Sequence, residues 1–157
     1  NPILVSAYTA ELAVLLEKYI GEFDSLLDIG TGELTTLSQI ICRLKIIPKK
    51  IYAFDISWSR IYKGLFYAEE FMGMGYKKLM PFVADLNEIP LLDKSINITT
   101  SSHALEPNGG NLKEIMNELF RITIDLEKYS NFLNKLILFF FIKKLIPIFL
   151  YKRFHLY

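Results

Sequence analysis

Leu26-Leu27-Asp28-Ile29-Gly30-Thr31-Gly32-Glu33-Leu34-Thr35 is the stretch on which the fold of this chain turns. It reads as a buried strand that stops at a carboxylate, bends through two alternate glycines and feeds an amphipathic segment from Leu34 to Leu44. Glycine suits such a bend because it accepts positive φ and because a side chain would hold a ligand away from the backbone. The helix predicted to begin near Glu33 would aim its free N–H groups at whatever lies over the bend. A strand-to-helix turn without any function also uses glycine, so the pair alone does not define a site.

The surroundings narrow the choice. A nicotinamide-binding turn normally has a third glycine, where this chain has Thr35, and no acid beside a pyrophosphate. Asp28 instead favours a cationic or amine-bearing ligand. At these residues the chain resembles the class I S-adenosylmethionine-dependent methyltransferases: Asp28-x-Gly30-x-Gly32 looks like their first motif, with Leu34 in place of the third glycine common in the family. Their ligand carries a sulfonium and an ammonium, which a carboxylate at the bend complements.

Working outward, Leu12, Leu15, Leu16, Tyr19 and Ile20 recur at helical spacing between Ala7 and Ile20, with Gly21 as the stop. Downstream of the bend, Leu37, Ile40, Ile41 and Leu44 form a second helical stripe closed by Pro48. The single cysteine, Cys42, is placed on that helix's apolar side, which leaves no disulfide framework and no cysteine metal site. A reduced, cytoplasmic compartment follows as the expectation.

Ile51-Tyr52-Ala53-Phe54 is the second predicted strand, and Asp55 ends it at the distance from the glycines where an acid accepts hydrogen bonds from ribose hydroxyls. Ser57 and Ser59 offer caps for the next helix, leaving Asp55 free for a ligand; Ile61, Leu65, Ala68, Phe71 and Met72 give that helix its inward side. Met80 to Ala84 is a third strand followed by Asp85, which read alone is an ordinary turn residue. Ile96 to Thr100 is a fourth strand. Its loop, Ser101-Ser102-His103-Ala104-Leu105-Glu106-Pro107-Asn108-Gly109-Gly110, lies where open parallel sheets collect ligands. His103 titrates near neutrality and could act as a base or merely bond the loop backbone. Asn111 caps a helix with Leu112, Ile115, Met116, Leu119 and Phe120 inward and Glu114 and Glu118 outward. Lys135 to Phe141 fits a fifth strand. One helix, four strand–helix repeats and a last strand make an α/β, doubly wound, mostly parallel sheet with helices on both faces.

The resemblance, which covers roughly residues 5 to 122, implies a Rossmann-like domain that binds S-adenosyl-L-methionine. It assigns Asp28, Gly30 and Gly32 to the methionine end, Asp55 to the ribose, and Asp85 and Leu86 to the adenine, with Thr31, Ile56 and Ala84 as further cofactor-binding positions. Ser101 lies beside the cofactor, and His103 is the catalytic candidate. The implied activity is methyl transfer to a hydroxyl or amine of a small molecule, with the Ser101–Gly110 loop resembling bacterial methyltransferases of surface-sugar pathways. Two other readings stay open: a dinucleotide or nucleotide-sugar oxidoreductase, and a non-catalytic S-adenosylmethionine-binding remnant.

The 157 residues, 52% of them hydrophobic, suffice for one domain with a real core. The near-neutral net charge hides a division: all 17 acidic residues lie in residues 1–127, and the last 30 residues hold six Lys or Arg and no acid. The body has no basic patch with interleaved aromatics, so nucleic acid is not an expected partner. The expected division is a cofactor-binding domain over 1–141 and a basic, apolar tail over 142–157, too short to supply the helix and antiparallel strands that complete this class. The stretch from Leu133 to Tyr157 reads as the fifth strand with a terminal helix, as a basic amphipathic membrane-surface segment, or as the product of a shifted reading frame. A spanning helix is disfavoured because Lys143, Lys144 and Pro147 interrupt the apolar run. The sequence starts at Asn1 with no signal-peptide pattern, which reads as a boundary or a truncation.

Overall fold

The computed structural model describes residues 2–19, 23–102, 104 and 112–123. The chain divides into a unit Asn1–Asp125 and a unit Leu126–Tyr157. His103, the expected fifth strand, the tail and the expected boundary after residue 141 lie outside the described residues.

The elements run α1 (Pro2–Tyr19), β1 (Ser25–Ile29), α2 (Thr35–Ile41), β2 (Lys50–Asp55), α3 (Trp58–Phe71), a 3-10 segment (Gly73–Lys78), β3 (Leu79–Val83), β4 (Ile98–Ser101) and α4 (Leu112–Ile122). The four strands form one all-parallel sheet in the order β3-β2-β1-β4. β1 is buried from end to end, with Leu26, Leu27 and Ile29 wholly inaccessible. This is why its sequence is a continuous apolar run rather than an alternation: a central parallel strand is covered on both faces. α1 packs on α2 and α2 on α3, and their buried residues, among them Leu16, Leu37, Ile40, Ile61 and Ala68, complete the core.

Strand order matters for function. The chain steps outward from β1 through β2 to β3 and then returns to place β4 on the other side of β1. The reversal sits between β1 and β4, and in open parallel sheets such a switch point leaves a crevice at the carboxyl ends of the strands.

Several expectations are corrected. α2 is only seven residues long, shorter than the predicted Leu34–Leu44 helix, so the bend itself and not a helix dipole dominates the backbone there. No helix joins β3 to β4; residues 84–97 cross the sheet as an irregular connection. Cys42 is exposed just past α2 rather than facing the core. Phe71 and Phe120 point outward, 42% and 63% exposed. Glu118 turns inward: its Oε1 accepts the Ile89 N–H at 2.8 Å and its carboxylate takes both Nε and Nη2 of Arg121 at 2.8 and 2.7 Å. Arg121 also donates through Nη1 to the Leu91 carbonyl and the Asp93 carboxylate and through Nη2 to the Ile89 carbonyl. The backbone of Arg121 and Ile122 accepts the N–H groups of Lys94, Ser95 and Ile96. A single guanidinium with its fixed fork of donors thereby holds the helix-free crossover against α4.

Candidate functional site

Backbone geometry at the end of β1 is unusual over five residues. Gly30, Gly32 and Leu34 have φ of 61°, 56° and 57°. A Cβ on Gly30 would collide with the Cβ of Ala104, and one on Gly32 would lie 2.5 Å from Nη2 of Arg60. Both glycines thus serve the left-handed conformation, and Gly30 also the close approach of the chain at Ala104, whereas the Arg60 side chain over Gly32 could swing aside. Gly64 plays a related part on α3: a Cβ there would strike the backbone of Glu33, so its absence lets the helix press against the bend. Leu34 has no such excuse. A left-handed conformation costs a non-glycine residue about 1 kcal/mol, and full burial of its side chain offsets this by about 2 kcal/mol.

The bend is tied to its neighbours by named bonds. Thr31 N–H donates to the Phe54 carbonyl at 2.9 Å, and Leu34 N–H to the Thr31 carbonyl at 3.0 Å. Gly32 N–H donates to Oδ2 of Asp55 at 2.9 Å, while Oδ1 accepts the N–H of Ser57 at the same distance. Arg60 Nη1 stands 3.5 Å from Oδ2. Asp55 is therefore not left free by the serine caps: Ser57 makes no side-chain cap bond, and Asp55 receives its N–H instead. Each carboxylate oxygen retains further acceptor capacity toward a hydroxyl.

Asp28, near the end of the adjacent strand β1, is the other buried acid among the described residues, 2% exposed. It accepts a hydrogen bond from Thr100 Oγ1 at 2.9 Å. Burial pushes its pKa up to about 6, against the opposing pull of the nearby Thr31 and Thr100 hydroxyls. The Thr31 hydroxyl is itself buried and lies against Asp28. Tyr8, from α1, hydrogen-bonds with Ser102 close enough to Asp28 for that charge to add to the upward shift of its phenol, which burial dominates.

At the next strand end, Asp85 is exposed and accepts both the N–H and the side-chain amide of Asn87, at 2.8 and 2.7 Å, which lowers its pKa. It therefore closes a turn of its own. Ala84 and Leu86 beside it are half-buried. Ile56, immediately after Asp55, is 73% exposed. Ser101 is half-buried and pairs in register with Ile29. A cleft of about 520 Å³ takes in Val83, Ala84, Asn87 and Ile89 together with Glu118 and Arg121. It borders the β3 end of this edge and contains neither Asp28 nor Asp55.

Asp28, Gly30, Thr31, Gly32, Asp55 and Ser101 thus gather at the ends of three adjacent strands, with Ile56, Ala84, Asp85 and Leu86 along the same edge toward β3. Sequence reasoning missed Tyr8, Arg60, Thr100 and Gly64. Only Gly64 carried a signal, as a glycine inside a helical pattern; the others reach the edge through the packing of separate elements.

No family model and no curated protein matches the sequence. Solved structures do match. A methyltransferase of Methanococcus maripaludis described as S-adenosyl-L-methionine-dependent aligns with TM-score 0.65 and 15% identity over 77% of this chain and 53% of that one. The YcgJ protein of Bacillus subtilis aligns with TM-score 0.60 and 17% identity over 76% and 47%. Geranyl diphosphate C-methyltransferase of Streptomyces coelicolor, solved with Mg²⁺, geranyl diphosphate and S-adenosyl-L-homocysteine, aligns with TM-score 0.57 and 15% identity over 73% and 42%. The chain spans about half the length of these structures. It has the Rossmann-like fold of the class I S-adenosylmethionine-dependent methyltransferases.

Proposed function

We propose that this edge binds S-adenosyl-L-methionine and that the chain is the cofactor-binding part of a methyltransferase acting on a small-molecule hydroxyl or amine. The observation that carries the proposal is the pairing of two buried acids, Asp28 and Asp55, with a side-chain-free bend at the switch point of a parallel sheet. The residues fit the ligand's chemistry. Asp55, already aligned by Gly32 and Ser57, accepts from vicinal ribose hydroxyls. Exposed Ile56 offers an apolar surface to an adenine ring. The Asp85 carboxylate would accept a hydrogen bond from the exocyclic amine, with Ala84 and Leu86 against the ring, and the bend Gly30–Gly32 with Thr31 and Ser101 would border the amino-acid end. Asp28, when ionised, draws the cationic centres toward the buried end of β1.

When bound, S-adenosyl-L-methionine supplies a sulfonium-bound methyl group open to displacement by a nucleophile. The protein's contribution is then to hold donor and acceptor in line, since orientation alone accounts for much of such a rate. His103, the base of this proposal, would take the proton of the acceptor hydroxyl or amine. Its loop is the basis for placing the acceptor among surface sugars.

Titration calorimetry with S-adenosyl-L-homocysteine and with NAD tests the proposal. The expected result is micromolar binding of the former, none of the latter, and a loss of about tenfold or more in Asp55→Asn. NAD binding in preference to the adenosyl compound would overturn it. Transfer of labelled methyl to sugar acceptors, reduced in His103→Ala, tests the acceptor and the base.

A further inference from the structure

Arg60 stands on ground that the proposed function assigns to a ligand. It precedes Gly64 by one turn of α3, so both positions face the bend. Gly64 lets the helix press against the backbone of Glu33, and that closeness carries the Arg60 side chain over Gly32. There its Nη2 and Cζ lie 2.5 and 3.0 Å from the point that a Cβ on Gly32 would fill. Its Nη1 reaches Oδ2 of Asp55, the oxygen that also accepts the Gly32 N–H. The bend has no side chain of its own at this point, but a guanidinium from another element covers it.

That guanidinium is held loosely. Its contact with Oδ2 is 3.5 Å long, and its side chain is 58% exposed against 6% for Asp55. Asp55 is the only acid it reaches among the described residues. A pair of this length and exposure adds little stability and is screened by salt. Arg121 shows the other extreme, with five hydrogen bonds of 2.6 to 2.9 Å that fix it in place. A cation that covers the bend, pairs with the acid a ribose needs and has solvent to retreat into is placed to compete with a ligand.

We propose that Arg60 is a movable cover on the cofactor seat: its guanidinium, held over Gly32 by the ion pair with Asp55, swings into solvent before ribose hydroxyls reach that carboxylate. It thereby sets the affinity of this edge, lowering it for any ligand that uses Asp55. Only the side chain moves, because the buried Ile61, Gly64 and Ala68 keep α3 in place. The inference rests on the reading of this edge as an adenosyl site.

Calorimetric titration of the whole chain with S-adenosyl-L-homocysteine, wild type beside Arg60→Ala, at about 0.05 and 0.5 M salt tests it. Arg60→Ala is expected to bind about threefold to fivefold more tightly at low salt, the scale of an exposed ion pair. That advantage is expected to shrink toward unity at high salt. Arg60→Gln, which keeps a polar side chain without the charge, is expected to follow Arg60→Ala, and circular dichroism of both variants checks the fold. Equal or weaker binding by the two variants overturns the cover and leaves the cofactor reading standing, and so does an advantage that salt leaves unchanged. Binding by neither wild type nor variant overturns the cofactor reading and this inference with it. Binding by the variants alone supports both.

Discussion

The bend after β1 and the crossover from β3 to β4 are both irregular backbone, yet they are built on opposite principles. At the crossover every donor of Arg121 that bonds has an acceptor, and Glu118 is held by the guanidinium and the Ile89 N–H together. That network is a support. At the bend, three residues in five have left-handed φ and two acids are buried. Backbone strain and buried acids cluster at binding sites, where a scaffold would remove them.

Three experiments press on that contrast. The largest effect belongs to Arg121→Ala, which releases the crossover from α4 and strips Glu118 of its counter-charge. We expect a fall in Tm of about 15 °C by calorimetry, with Arg121→Lys recovering only part because an ammonium cannot reproduce the fork. Adenosyl binding by the fraction still folded should change little. A Tm loss below that of a surface substitution would show the network to be ornamental.

Next is pH. Asp28 has a folded pKa of about 6 against an ordinary 3.8, so its neutral form is favoured by folding. The stabilisation is complete below pH 3.8, declines as pH rises and is gone above about 6, amounting to about 3 kcal/mol or 10 °C in Tm. Asp28→Asn keeps a neutral side chain at every pH, so the Tm of wild type should fall relative to this variant as pH rises across the window, widening a gap in the variant's favour. Binding of the cationic adenosyl donor should strengthen over the same range as the carboxylate ionises, more than binding of the uncharged-sulfur product. A flat gap would mean that Asp28 is not buried as described.

Leu34→Gly is the smallest. It relieves about 1 kcal/mol of backbone strain and loses about 3 kcal/mol of buried side chain, a net fall in Tm of about 6 °C. A rise in Tm instead would show that strain outweighs packing at this position.

The class of fold was legible because its signals are local. β1 is apolar throughout since both its faces are covered, the glycines mark positive φ, and α3 repeats its buried residues at helical spacing. The acids at strand ends were legible for the same reason. Glu118 was misjudged because a helical wheel assigns charge to solvent, whereas the missing β3–β4 helix created an inward demand for it. Asp55 was judged free because the competing serines are also good caps; the backbone that presses Gly32 against it is supplied from another element.

Residue order alone thus determined the parallel α/β architecture, the central place of β1 and the carboxylates along one edge, since periodicity and glycine act within a few residues of themselves. Tertiary structure decided which of those acids is buried, what holds each one, and that Tyr8, Thr100 and Arg60 join them. Desolvation and hydrogen bonding depend on what distant segments bring to the same few ångströms, and no spacing along the chain encodes that.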